Sequence, residues 1–171
     1  QMSAADEVDY PRLFRAMIVR GAQAALASID PQASSLAAEV YDRSLHALTL
    51  ALKLPEAWSA THELMLTISP HLRWQGDGAQ WMAFLEAGIA AAESQGDMDA
   101  LAKLHHQLGW FCRVFSRLEQ AEAHAKRAYQ LAVQQNDTAT RIDALYELMA
   151  TAGQRADFAL VQSYVDELFA L

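Results

Sequence analysis

Apolar residues recur along this chain at intervals of three and four positions rather than at alternate positions. That spacing collects apolar side chains on one face of an α-helix, so it predicts helices throughout and no strands. Asp30-Pro31, Leu54-Pro55 and four short segments at 75–79, 95–98, 135–138 and 152–157 interrupt the pattern as turns. The predicted helices are 10–29, 32–54, 56–75, 78–95, 98–114, 117–135, 138–153 and 156–170.

The helical pattern repeats after forty residues. Ile68 falls on Leu108 and Leu148 under this shift, and Trp81 falls on Ala121. Ala159 matches Ala121 at a shift of thirty-eight, which predicts a last turn two residues shorter than the others. Stacked helix pairs of this period are typical of an α-solenoid. The repeat therefore predicts an all-α fold, a right-handed α-α superhelix of about four helix pairs, at 10–54, 56–95, 98–135 and 138–170.

The segment LGWFCRVFSRLEQAEAHAKRAYQLA (108–132) resembles a tetratricopeptide repeat. It has a Leu-Gly pair in its first helix, a turn reading Ser-Arg-Leu-Glu-Gln, and alanine at 121 and 128. The period of forty exceeds the family's usual thirty-four, and the segment 57–97 is similar to the repeat arrays of large bacterial signalling ATPases and transcription regulators. The resemblance implies one TPR-like domain over residues 2–171, with Gln1 read as a tag remnant.

In tetratricopeptide repeats the first helix of each pair lines a concave groove, and the resemblance implies the same here. The groove register predicts a binding surface for a peptide or protein partner, because aromatic and arginine side chains are common binding hot spots. The predicted groove residues are Arg73, Trp74, Lys103, His106, Trp110, Arg113, Tyr146 and Glu147. The alternative interpretation is that both tryptophans are core residues and the charged residues form a solvated face.

The last predicted helix is apolar over most of its surface and includes Leu168 and Phe169. A solenoid end usually carries a polar outer face. This helix therefore predicts either that further repeats follow or that the chain forms a homodimer through Leu168 and Phe169.

His105 and Cys112 lie two helical turns apart on nearly the same helix face, and are expected to be packing residues. Zinc needs three or four converging ligands, and the remaining histidines have no short ligand spacing, so no metal is expected. The sequence has no G-x-x-x-x-G-K-[ST] motif, and neither a cofactor nor a catalytic residue is predicted. A helical enzyme using His105 and His106 is the least favoured alternative.

The formal net charge of −8 argues against binding to nucleic acid or to anionic lipid. No apolar run approaches the ~20 residues of a membrane-spanning helix, and the N-terminal residues lack the pattern of a secretory signal. One cysteine allows no internal disulfide and suits a reducing compartment, so a cytoplasmic location is expected.

Two functions remain favoured from the sequence. The first is a non-catalytic scaffold that binds a peptide or partner protein in the groove, in bacterial signalling or transcription regulation as the resemblance implies. The second is a regulatory sensor that binds a small effector or a signalling peptide in the same groove.

Overall fold

A computed structural model describes residues 9–72 and 78–171, and all regular structure in these two ranges is helical. The predicted all-α class is confirmed. A single turn of 3-10 helix, Pro55–Ala57, precedes the third α-helix. The α-helices are α1 (Tyr10–Ala27), α2 (Ala38–Ala51), α3 (Trp58–Leu72), α4 (Gly78–Gln95), α5 (Met98–Val114), α6 (Leu118–Gln135), α7 (Thr138–Gln154) and α8 (Phe158–Phe169).

The second helix begins later than the sequence predicts, at Ala38 instead of residue 32. Asp30 does not act as its N-cap. The Asp30 carboxylate instead accepts a hydrogen bond from the backbone N–H of Gln32 at 2.9 Å, and its carbonyl accepts one from Ala33 at 3.1 Å. These bonds form a local turn, which competes with helix formation at Asp and Asn residues.

The chain divides into two compact units, Gln1–Ile68 and Ser69–Leu171. In the first unit, α1 packs on α2 and on the 3-10 helix. Small side chains form the core of this contact, with larger apolar residues around them: Ala22, Ala51, Ala57 and Ala60, flanked by Ile18, Val19 and Leu54. Alanine at these positions lets the helix backbones approach closely.

In the second unit each helix from α4 to α8 packs on the next one along the chain, and α5 also packs directly on α7. Contact between neighbours and between alternate helices is consistent with a helical repeat. Positions forty residues apart are buried alike. Trp81 and Ala121 are both inaccessible to solvent, and so are Leu85 and Ala125.

One turn geometry recurs four times in the second unit, at intervals of twenty residues. Gly96, Ser116, Asn136 and Ala156 each adopt a left-handed conformation, with φ between 56° and 67°. The N–H of the residue that follows each of them bonds to the carbonyl five positions earlier, at 2.8–3.0 Å. This is the Schellman ending of an α-helix.

Three of these turns lead directly into an aspartate that caps the next helix. Asp97, Asp137 and Asp157 each accept a hydrogen bond from the N–H three residues ahead, at 3.0–3.1 Å. The first two lie in the segments 95–98 and 135–138, which the sequence predicts as turns. The prediction of a shorter last turn is wrong, because Ser116 and Ala156 are forty residues apart and have the same geometry.

Candidate functional site

Six of the eight predicted groove residues lie on α5 and α7, which pack directly on each other. Lys103, His106, Trp110 and Arg113 follow one another at steps of three and four along α5, so they lie on a continuous stripe of that helix. Tyr146 lies on α7, next to the residue that bonds to Arg113. We refer to these five residues as the α5–α7 face.

An ion pair between the two helices forms the floor of this face. The Arg113 Nε donates a short hydrogen bond to Glu147 Oε1, and Nη2 lies 3.4 Å from Oε2. Glu147 is 4% exposed, and the Arg113 side chain is 18% exposed. Arg113 and Glu147, both predicted as groove residues, therefore pair with each other. Their ion pair joins α5 to α7.

The accessible part of the α5–α7 face is aromatic and mixed in charge. Tyr146 is 55% exposed. Trp110 is half-buried and packs edge-on against Phe111, with the ring centroids 4.9 Å apart. Lys103 donates to Asp99 one turn earlier on α5, at 2.7 Å, and His106 is half-buried between Lys103 and Trp110 along the stripe.

The other four predicted residues comprise two that the structure does not describe and two on α8. Arg73 and Trp74 fall outside the described residues. Leu168 is half-buried and packs against the core cluster of Ala125, Leu145 and Leu148. Phe169, its neighbour on α8, is 86% exposed. Of the two residues predicted for self-association, only Phe169 presents its side chain to solvent.

Sequence spacing did not reveal a histidine pair at the crossing of α5 and α6. The Nδ1 atoms of His105 and His124 lie 2.9 Å apart, so one ring donates its Nδ1 proton to the other. The helices approach closely here. A Cβ added at Gly109, one turn beyond His105, would lie 3.3 Å from the Ala121 carbonyl oxygen and the Ala125 nitrogen.

The surroundings of the pair favour neutral rings. Burial, with smaller contributions from His124 and the Arg127 charge, lowers the pKa of His105 to about 4. Burial also lowers the pKa of His124, against an opposing effect of Glu86. The two residues are nineteen positions apart and lie on different helices. The spacing rules that relate residues within one helix therefore do not predict this contact.

The expectation that His105 and Cys112 are packing residues is confirmed, since both are buried. Burial raises the pKa of the Cys112 thiol, which disfavours the reactive thiolate. Within residues 9–72 and 78–171, no three His, Cys, Asp or Glu side chains are grouped so that they could hold a metal ion. None of the helices described has the length and apolarity needed to cross a bilayer.

The first unit contains an open cavity of about 340 Å³ between α1 and the start of α3. Its apolar wall includes Val19, Leu26 and Ala60, and its two charged lining residues are Glu56 and Glu63. Glu56 is engaged by Arg15, whose Nη1 lies 2.9 Å from Oε1. This cavity could not be predicted from the sequence, because its lining comes from two separate segments of the chain, 19–27 and 56–63.

Comparisons with protein-family models, with curated proteins and with solved structures found no match for this chain. The functional assignment therefore depends on the geometry of the chain's own residues.

Proposed function

We propose that this protein is a non-catalytic, TPR-like scaffold whose α5–α7 face binds a peptide or a partner protein. The observation that supports the proposal is the direct packing of alternate helices α5 and α7, which carry the α5 stripe and the exposed Tyr146 respectively. Tyrosine and tryptophan bring large, rigid contact areas at low entropic cost, and they are enriched at binding hot spots. The resemblance to bacterial repeat arrays supports a cytoplasmic role in signalling or transcription regulation.

The ion pair of Arg113 and Glu147 limits which substitutions can test this proposal. Changing Arg113 would leave the buried Glu147 carboxylate without its partner, so a loss of binding could reflect damage to the helix contact. Tyr146→Ala combined with His106→Ala alters the face and leaves that ion pair in place. Gln130→Ala with Val133→Ala, at exposed positions on α6, is the matched control.

The experiment is capture of binding proteins from cells of the source organism, followed by titration of each purified candidate against the three forms of the chain. We expect the wild type and the α6 control to bind one partner with equal affinity, and the Tyr146/His106 variant to bind at least about tenfold more weakly, as for loss of a single hot spot. Equal binding by all three forms would contradict the proposal.

The cavity in the first unit favours a second function, regulation by a small effector. Its volume lies in the range of small-molecule sites, and Glu63 would favour a cationic group on an apolar body, while Glu56 is paired with Arg15. Ser59 is an exposed lining residue, so Ser59→Phe should fill the cavity and Ser59→Ala should leave it open. An amine that raises the Tm of wild type and Ser59→Ala, but not of Ser59→Phe, would support this function. Equal shifts in all three would exclude it.

A further inference from the structure

Helix α1 has two apolar faces, and only one of them is packed. Ala22 and Ala25 face the core of the first unit. A second stripe, Tyr10, Leu13, Phe14 and Met17, follows the i, i+3, i+4, i+7 spacing of a docking face, and its residues are 52–74% exposed. A contiguous exposed patch of large apolar side chains commonly marks an interaction surface.

Helix α8 has a similar exposed apolar face. Leu168 and Tyr164 pack against the core, but no residue of α8 is fully buried. Phe158 is 73% exposed and Phe169 is 86% exposed. Eleven residues are close to three full turns, so these two rings lie on the same side of the helix.

The two helices carry opposite charge. Helix α1 contains three arginines and no acidic residue, although the chain as a whole has a net charge of −8. Arg15 is paired with Glu56, and Arg20, three positions after Met17, is the arginine beside the exposed stripe. Helix α8 contains Asp166 and Glu167 and no basic residue. Glu167 is half-buried and accepts a hydrogen bond from the Tyr129 hydroxyl, so the exposed Asp166, three positions before Phe169, is the charge beside the α8 face. An acidic, apolar surface is therefore what fits the α1 face, and this same chain supplies one.

We infer that the protein associates with itself head to tail, with the exposed face of α1 in one copy docked on the exposed face of α8 in a second copy. A symmetric contact would bring like charges together, Asp166 with Asp166 or Arg20 with Arg20, whereas a contact of α1 with α8 brings Arg20 and Asp166 together. A contact between two different faces is heterologous, so it produces a ring or an open chain of copies.

The test uses two variants, each of which blocks one face. Phe14→Glu with Met17→Glu blocks α1, and Phe169→Glu blocks α8. Val133→Glu, at an exposed apolar position on α6, is the control. Circular dichroism and thermal unfolding establish that each variant remains folded, and sedimentation equilibrium gives its mass over a range of concentrations.

We expect the mass of the wild type and of the Val133 control to rise with concentration, and each blocked variant alone to remain monomeric. An equimolar mixture of the two blocked variants should form a dimer and nothing larger, because each contributes one intact face. Dimerisation of the α1-blocked variant alone would overturn the inference in favour of a symmetric α8 contact. A wild type that remains monomeric at all concentrations would overturn it altogether.

Charge reversal provides a second test of the association of α1 with α8. Asp166→Arg should weaken the association by about threefold, as expected for a charge at the rim of an interface, and Arg20→Glu in the second variant should restore it in the mixture of blocked variants. If Asp166→Arg strengthens the association, the assigned pairing of α1 with α8 is wrong.

Discussion

The ion pair of Arg113 and Glu147 places a buried carboxylate at the contact of α5 and α7. Removing one partner of such a pair is far more costly than removing both, because the remaining charge loses its compensation. The two residues also differ in access to water, since Glu147 is 4% exposed and the Arg113 side chain 18%.

We therefore expect Arg113→Met to lower the free energy of unfolding by about 3 kcal/mol, and Glu147→Met to lower it by less, since the longer arginine side chain reaches solvent. The double variant should cost less than the sum of the two single changes. Urea unfolding of the four forms completes the double-mutant cycle. Additive costs would show that the pair does not stabilise the contact.

The histidine pair should make stability depend on pH. His105 has a folded-state pKa of about 4 against an ordinary 6.5, so between these values the unfolded chain binds the proton and the folded chain does not. The stabilisation contributed by neutral His105 is complete above pH 6.5 and is lost as the pH falls toward 4. The lost stability amounts to at most about 3 kcal/mol.

The check is urea unfolding at several pH values in this window, for the wild type and for the His105→Gln, His124→Gln double variant. The wild type should lose more stability on acidification than the double variant. His46→Gln, at an exposed position on α2, should follow the wild type. Parallel curves for the wild type and the double variant would disprove the assignment.

At the scale of the helical element, the recurring turn allows a matched comparison of two equivalent positions. Gly96 and Ala156 have φ of 67° and 57°, where a Cβ is unfavourable. No atom lies within 4 Å of a Cβ built on Gly96, so only the backbone conformation matters there. Ala156→Gly should raise the stability by about 1 kcal/mol and Gly96→Ala should lower it by a similar amount.

Calorimetry should detect these changes as opposite shifts in Tm of about 2–4 °C. Tm shifts of the same sign for Ala156→Gly and Gly96→Ala would mean that the two turns have different backbone conformations in solution.

Two glycines within helices provide a second comparison. A neighbouring helix lies close to Gly109, whereas the space around Gly153 is open. A Cβ at Gly109 would meet the α6 backbone at 3.3 Å, so Gly109→Ala should cost about 1–3 kcal/mol by forcing α5 and α6 apart. Nothing lies within 4 Å of a Cβ at Gly153, and Gly153→Ala should stabilise α7 by up to about 1 kcal/mol. The measurement is denaturant unfolding of both variants. A stabilising Gly109→Ala would contradict the close approach.

The helices and most of their boundaries were predictable because local signals determine them, whereas the start of α2 at Ala38 was not. Turn residues and capping aspartates such as Asp97 and Asp137 stand at the helix ends, and the forty-residue register identified the buried positions of α4 and α6. Residue pairs across helices were not predictable. The partners His105 with His124, and Arg113 with Glu147, depend on helix rotation and side-chain rotamers, which a periodic pattern leaves undetermined.

For the whole molecule, the sequence predicts one TPR-like domain over residues 2–171, and this stays a prediction; the contacts group the chain into two compact units, Gln1–Ile68 and Ser69–Leu171. The repeat pattern could not predict this division, because a repeated register is compatible with strong or weak contact at any one junction. The groove prediction depended on the register alone. It identified the stripe on α5, but it did not distinguish the exposed Tyr146 from its buried neighbour Glu147.

The uniform turn also bears on how such a chain can grow by duplication. Residues 97–136 begin with a capping aspartate and end with a left-handed residue, so a second copy inserted after Asn136 would join Asn136 to Asp97 through the same kind of junction that Gly96 makes now. We expect the lengthened chain to fold, with a larger helical signal and a larger urea m-value. Rapid proteolysis confined to the inserted copy would show that the junction is not interchangeable. If the junction is interchangeable, the number of helix pairs can change without redesign of the neighbours, and a binding surface could lengthen in steps of one pair.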